Sequence, residues 1–200
     1  MNVRLQYTAP FTAGVYWNGQ MLMNNYISKF YMLTNTTDSE TQNIAYERLK
    51  YFIYTELNST VFVNCELQEQ CQKFIEAGLK ITTLPAEPVD QLIGIMLYCK
   101  LNAIMEEYMI VHEVEVSSDL GDNMAYLHAA DENLGPFEPN GWWHDSDPTH
   151  ADIKLVDSDK VVSMNVNNAW RELGLSWPEP DGAPADNTVV FAEFKPDETK

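Results

Sequence analysis

The hydrophobic and polar positions are most regular between Pro88 and Tyr126, where a helical pattern changes to a strand pattern. From Leu92 to Met105 nearly every position is apolar, which predicts a helix that is covered on most sides. Pro88 suits its first turn, where a missing backbone N–H leaves no bond unmade. Lys100 interrupts the run, and a membrane span needs roughly 18 consecutive apolar residues, so we expect a core helix. From Ile110 to Val116 the period becomes two, which is typical of a strand with one buried face.

The first third of the chain predicts antiparallel strands. Residues Val3–Tyr7 alternate between apolar and polar side chains. Asn18-Gly19 is a strong signal for a tight turn, and it would join strands at Val15–Trp17 and Met21–Met23. A further strand is predicted over Tyr26–Leu33.

Helices are predicted in the middle of the chain. Ser39 with Gln42 three residues later matches a capping box, and the amphipathic helix that it opens continues to Leu57. A second helix over Glu66–Glu76 ends just before Gly78, a residue that is common after helix ends.

The C-terminal part predicts strands at Ile153–Val156 and Lys160–Met164, a short helix over Asn168–Leu173, and a further strand at Val189–Phe191. Many prolines and acids surround that last segment.

Together these elements predict one α+β domain over residues 1–176, with a largely antiparallel sheet backed by two or three helices. Residues 177–200 are predicted to form an acidic, proline-rich C-terminal arm.

The charge of the chain limits the kinds of partner that it can bind. Thirty acids against twelve Lys and Arg give a formal charge of -18, so affinity for nucleic acid or an anionic membrane is not expected. The opening MNVRLQYTAP lacks the apolar segment of a signal peptide, and the three cysteines form no C-x-x-C pair. We therefore predict a cytoplasmic protein without a cofactor.

One loop holds the densest set of candidate metal ligands. His144, Asp147 and His150 lie within the stretch that runs to Asp152, and imidazole and carboxylate groups bind divalent cations. Neither a zinc signature nor a calcium loop is present. Two interpretations stay open: a metal site at these residues or, as we favour, an acidic loop anchored by aromatic residues.

Catalytic motifs are absent from the sequence. It contains no Gly-rich phosphate loop, no nucleophile elbow and no Ser-His-Asp pattern. The aromatic residues of the predicted first sheet are typical of a core or an interface. We therefore expect a non-enzymatic protein that acts by associating with itself or with other proteins, and a metal-dependent hydrolase is the least favoured class.

The order of a hairpin, helices and a second hairpin resembles the tunnelling-fold proteins, which include pterin synthases, GTP cyclohydrolase and queuosine-pathway synthases. The resemblance rests on a proline-started helix that leads into a strand with a glutamate. It implies that this glutamate anchors a purine or pterin ring. The matching positions are the helix Pro88–Met105, the anchor Glu115, and Ser117, Ser118 and Tyr126 after it. The zinc ligands of pterin synthases have no counterpart, because no histidine precedes His112.

A second resemblance covers the whole chain. The segments LQYTAPFTAGVYWNG, Gln91–Met105, DSDKVV and NNAWRELGLSWPE are similar to uncharacterised proteins of T-even-like tailed phages of marine cyanobacteria. It implies a place in the host cytoplasm or in the virion, with itself or other phage or host proteins as partners. It implies no activity.

Overall fold

The computed structural model describes residues 3–151 and 166–178. One sheet in the order β4-β3-β1-β2-β5-β6 contains six strands: β1 (Arg4–Trp17), β2 (Gln20–Thr34), β3 (Val61–Asn64), β4 (Ile81–Leu84), β5 (Met109–Ser118) and β6 (Tyr126–Ala129). The pairs β1–β2, β2–β5 and β5–β6 are antiparallel, which confirms the predicted α+β class with a largely antiparallel sheet. The pairs β1–β3 and β3–β4 are parallel, which the sequence did not predict.

The first hairpin is longer than predicted. The expected short strands merge into two continuous ones around the Asn18-Gly19 turn, where both residues have positive φ. Pro10 is tolerated inside β1 because of the direction in which its nitrogen points. The N–H groups of Thr12 and Gly14 point away from β2. Because the direction alternates along a strand, the nitrogen of Pro10, two positions before Thr12, also points away from β2. Since β3 pairs with β1 only at Gly14 and Val15, Pro10 removes no sheet hydrogen bond.

The described residues form four α-helices: α1 (Ser39–Tyr51), α2 (Gln68–Glu76), α3 (Asp90–Met105) and α4 (Val166–Glu172). The predicted helix to Leu57 is present, but its last six residues, Phe52–Leu57, form a π-helix. Asp38 caps α1 by accepting the Thr41 N–H at 2.7 Å, so the expected capping box at Ser39 is wrong by one residue. Pro88 precedes the cap of α3 and does not lie in its first turn.

The helices lie on both faces of the sheet, but unequally. Helices α1 and α3 and the π-helix bury the main core, which includes Phe30, Phe52 and Ile93. Helix α2 covers the β3–β4 end of the opposite face and the adjoining Tyr16 of β1, over a small second core with Val63 and Cys71. The rest of that opposite face, on β1, β2, β5 and β6, has no helix over it among the described residues.

Strand β5 departs from strict alternation. Tyr31 pairs with Glu113 and Met32 pairs with Val111, so His112 is an extra residue opposite a continuous β2. A β-bulge of this kind lets Val111 and Val114 both face the core although they are three positions apart.

Helix α3 is the central core helix that the sequence predicts, with ten buried residues, including Lys100. No helix within residues 3–151 and 166–178 is long and apolar enough to cross a membrane. The helix expected at Asn168–Leu173 is α4. The strands predicted at Ile153–Val156, Lys160–Met164 and Val189–Phe191 lie outside the described residues, as does nearly all of the predicted arm.

Candidate functional site

One face of the sheet is largely uncovered by the described helices. We call it the open face: the side chains of β1, β2, β5 and β6 that point away from α1 and α3. The strand register arranges them in rows. Its central rows are Gln6, Tyr31 and Glu113; Thr8, Lys29, Glu115 and Leu127; and Pro10, Ile27 and Ser117.

Glu115, the predicted ring anchor, lies at the centre of the open face and has a partner there. Its Oε1 accepts a hydrogen bond from Lys29 Nζ at 2.5 Å. This hydrogen bond raises the pKa of Lys29. The sequence analysis did not name Lys29, although the alternation of β2 places it on one face with Ile27 and Tyr31. Its pairing with Glu115, 86 positions away, depends on the sheet register.

The open face is close to electrically balanced. Its four strands contribute the cations Arg4 and Lys29 and the anions Glu113 and Glu115, so their formal charge is +2 - 2 = 0. Asp119, just after β5, accepts a hydrogen bond from Asn25 of this face and adds one negative charge at its edge. The whole chain carries -18. The open face therefore lacks the acidity that dominates the rest of the protein.

Apolar side chains project from the open face. Met23 is 65% exposed, Leu127 50% and Ile27 45%. Met23 and Ile27 lie on β2, and Leu127 lies on β6, where it is the neighbour of Glu115 of β5. Met23 lies beside Gly14 near the hairpin turn, four positions along β2 from Ile27, so the exposed apolar side chains are spread along the open face.

The two predicted serine contacts lie on opposite faces of β5. Ser117 is on the open face, opposite Ile27. Ser118 is buried on the helix side, where its Oγ donates to the Asp90 carboxylate at 2.7 Å and accepts from the Gly121 N–H at 3.1 Å. Burial raises the pKa of Asp90. Ser118 thus connects β5 to the start of α3 and is not brought together with Glu115.

A concave surface occurs elsewhere. An open cavity of about 620 Å³ lies where the tip of the first hairpin meets α2. Its lining includes Glu66, Glu69, Glu87 and Lys73, with Lys73 bound to Glu69 at 2.6 Å. The lining does not include Glu115, Ser117 or Ser118.

The three predicted metal ligands contact three different partners. His144 Nε2 lies 2.8 Å from the carbonyl oxygen of Phe137, and Asp147 Oδ1 lies 3.7 Å from Lys100 Nζ. His150 Nδ1 lies 3.1 Å from a carboxylate oxygen of Glu56. Among the described residues no group of three or more His, Cys, Asp or Glu is placed to hold a metal ion. Asp152 lies outside the described residues.

The loop that carries these residues is fixed to the core by Lys100 and by aromatic side chains. Lys100 is fully buried, and its Nζ donates to the carbonyl oxygens of Trp142 at 2.8 Å and Asp145 at 2.7 Å. Trp142, also fully buried, donates its Nε1–H to the carbonyl oxygen of Thr83 at 2.9 Å. A buried cation with several hydrogen bonds avoids most of the penalty for leaving water.

Glu56 is a partly buried acid that the sequence analysis missed. Burial raises the pKa of Glu56, but hydrogen bonds with His150 and Tyr51 outweigh that effect and hold the pKa below its usual range. Glu56 lies in the π-helix, a local geometry that is often found at functional sites. A glutamate in an amphipathic helix reads as solvated in the sequence, so no sequence signal distinguished it.

No protein-family model matches this chain, and no curated protein matches it. Among solved structures, it is similar to a 6-pyruvoyl tetrahydropterin synthase from Plasmodium falciparum, with 11% identity and a TM-score of 0.41 over 64% of this chain and 96% of that one. A catalytic-residue mutant of the Plasmodium vivax synthase gives the same identity and TM-score, over 64% and 97%. Both are pterin synthases, as in the resemblance of the sequence pattern. No residue role is carried over from them to this chain.

Proposed function

We propose that this is a non-enzymatic, phage-encoded protein that acts by association, and that the open face binds a second copy of the chain. The observation that supports association is the open face itself: an uncovered sheet surface with exposed Ile27 and Leu127 near the Lys29–Glu115 ion pair and exposed Met23 further along β2, toward the hairpin turn. The phage origin is supported by the sequence resemblance of four segments.

Charge favours a second copy as the occupant. Two molecules that each carry -18 repel one another over most of their surfaces. The four strands of the open face carry no net charge, so pairing two open faces brings little like charge together. A two-fold arrangement uses the same patch on both molecules, and it needs no other partner.

The size of the open face is also suitable. With strands about 4.8 Å apart and a rise of about 3.4 Å per residue, its four strands cover roughly 700 Å². A stable interface buries about 800 Å² of accessible surface on each partner. The open face is therefore close in size to the interface of a specific dimer, which would have to use nearly all of it.

The alternative is a tunnelling-fold-like purine or pterin binder, or a degenerate relative of those enzymes, with Glu115 as the ring anchor. It is supported by the place of Glu115 on an uncovered surface beside Ser117 and Leu127. A ring would have to displace Lys29 from Glu115, and a second copy would have to supply the missing wall of the site.

Ile27→Lys is expected to abolish the dimer, because it places an unpaired cation in the apolar part of the open face. Val89→Lys is a matched control: Val89 is as exposed as Ile27, at 45%, but lies before α3 and not on the open face. Native mass spectrometry of the protein purified from cells measures the subunit number. A monomeric wild type, or a dimer that tolerates Ile27→Lys, contradicts the proposal.

Glu115→Gln distinguishes association from ring binding. We expect the dimer to survive this substitution, because the apolar contacts of the open face remain. A ring binder would instead carry a purine- or pterin-sized mass in the wild type and lose it in Glu115→Gln. The same native mass spectra report both results.

A further inference from the structure

His128 on β6 is buried without a hydrogen bond. Its exposure is 1%, and neither Nδ1 nor Nε2 has a hydrogen-bond partner among the described residues. Its nearest charged group is Glu132, whose Oε2 lies 3.3 Å from Nδ1, within ion-pair distance. The ring packs edge-on against Tyr98, with centroids 4.8 Å apart. Buried polar groups are nearly always paired, so an unpaired imidazole requires an explanation.

The contact between α3 and the β5–β6 hairpin has an unusual composition. Three α3 residues spaced by four, Asp90, Gly94 and Tyr98, contact Ser118, Tyr126 and His128 in turn. A Cβ on Gly94 would lie 3.3 Å from the Tyr126 ring, so the helix approaches the strand closely there. This contact therefore combines hydroxyl, carboxylate and ring groups with the Val116 side chain, which would lie 3.6 Å from a Cβ on Gly94.

Strand β6 is also weakly held by the sheet. It has four residues, lies at the end of the sheet, and pairs only with β5. Leu127 points to the open face, and His128 next to it points to α3. One short strand thus connects the buried histidine with the proposed association surface.

We propose that β6 is an acid-released latch: protonation of His128 detaches β6 from α3 and removes Leu127 from the open face. The release of β6 stands on its own, whereas its effect on dimer formation rests on the function proposed above. Neutral His128 packs as a ring between α3 and β5. Charged His128 would have to stay in that buried site with only Glu132 nearby.

The groups around His128 determine how the stability of the closed β6 strand changes with pH. Tyr98 faces it from α3 and Glu132 from the following turn, while Val114 lies opposite on β5. Burial lowers the pKa of His128, and Glu132 opposes this shift. The unfolded chain binds this proton more tightly than the closed strand does, so the closed state is most stable above the ordinary value of 6.5 and loses stability as the pH falls below it.

Hydrogen exchange tests the latch. Between pH 7.5 and 5.5, the protection factors of the β6 amides in the wild type are expected to fall by up to about tenfold, after correction for the intrinsic exchange rate. In His128→Phe, which keeps a buried ring but cannot be protonated, we expect no such fall. His112→Gln is the control, because it removes an exposed histidine of β5 and should respond as the wild type does.

Glu132→Gln provides a second test with the buried ring intact. Glutamine keeps an oxygen that can accept the Ala129 N–H but loses the charge that favours protonated His128, so β6 should open at a higher pH than in the wild type. An unchanged wild-type protection factor at pH 5.5, or the same fall in His128→Phe, overturns the latch. Native mass spectra at both pH values report the dimer separately: β6 release in a protein that is monomeric throughout supports the latch and contradicts the proposed function.

Discussion

Lys100→Met is expected to lower the free energy of unfolding by about 3–5 kcal/mol, the range seen when one partner of a buried charged contact is removed. Methionine fills a similar volume, but it leaves the carbonyl oxygens of Trp142 and Asp145 without the Lys100 donor. Asp147 also loses its nearby cation. Domains are stable by only about 5–15 kcal/mol, so we expect a marginal fold.

Urea unfolding followed by tryptophan fluorescence measures this loss. Lys73→Met is the matched control, because Lys73 is an exposed lysine on α2 paired only with an exposed glutamate. Its unfolding midpoint should stay close to that of the wild type. If Lys100→Met unfolds at the wild-type urea concentration, Lys100 does not anchor the loop.

Arg48→Lys is expected to detach the segment from α4 to Pro178 from the core. Arg48 is buried and donates to the carbonyl oxygens of Leu175 at 2.9 Å and Ile104 at 3.0 Å, and to Glu106 at 3.0 Å. Its guanidinium group also lies 4.8 Å from the ring of Trp170 and 3.9 Å from that of Trp177. Lysine keeps the charge, but one ammonium group cannot make these contacts together.

We expect Arg48→Lys to lower the free energy of unfolding by about 3 kcal/mol, because hydrogen bonds to a charged group contribute about 1.5–3 kcal/mol. Limited proteolysis with mass spectrometry should show faster cleavage within residues 166–178. Arg171→Lys makes the same substitution at an exposed position of α4 and should be cleaved as slowly as the wild type. Equal cleavage of the two variants would show that Arg48 does not hold the segment.

Local patterns were sufficient to predict most elements, because periodicity and turn residues act over a few positions. The apolar run of α3, the Asn18-Gly19 turn and the strand at β5 were all present in the sequence. The bulge at His112 was not predictable, since it depends on a continuous β2 strand as partner. The parallel pairing of β3 with β1 likewise joins segments more than forty positions apart in the chain.

The predictions of site residues were also limited by contacts between segments that are distant in the sequence. Alternation alone assigns Glu115 and Ser117 to one face of β5, and it assigns Ser118 to the other. The candidate ligands in the His144–His150 loop are close in sequence, but their partners come from distant segments. His150 contacts Glu56, and Asp147 approaches Lys100.

Lys100 shows how a long-range contact changes the meaning of a residue. In the sequence it interrupts an apolar run and argues against a membrane span. In the fold it is fully buried and holds a loop at Trp142 and Asp145, more than forty positions later. Only the tertiary structure shows that this lysine, which breaks the apolar pattern of the sequence, holds a distant loop by hydrogen bonds.

The order in which the sheet closes has a consequence during synthesis of the chain. The β1–β2 hairpin contains only local pairs, whereas β5 joins β2 across separations such as the 86 positions between Lys29 and Glu115. Contacts this distant in sequence form late, because a long loop must be closed first. A nascent chain on the ribosome therefore presents Ile27 without its neighbours on β5 and β6, and the open face exists only after residue 129 has left the exit tunnel. We therefore expect the proposed dimer to form only between finished or nearly finished chains.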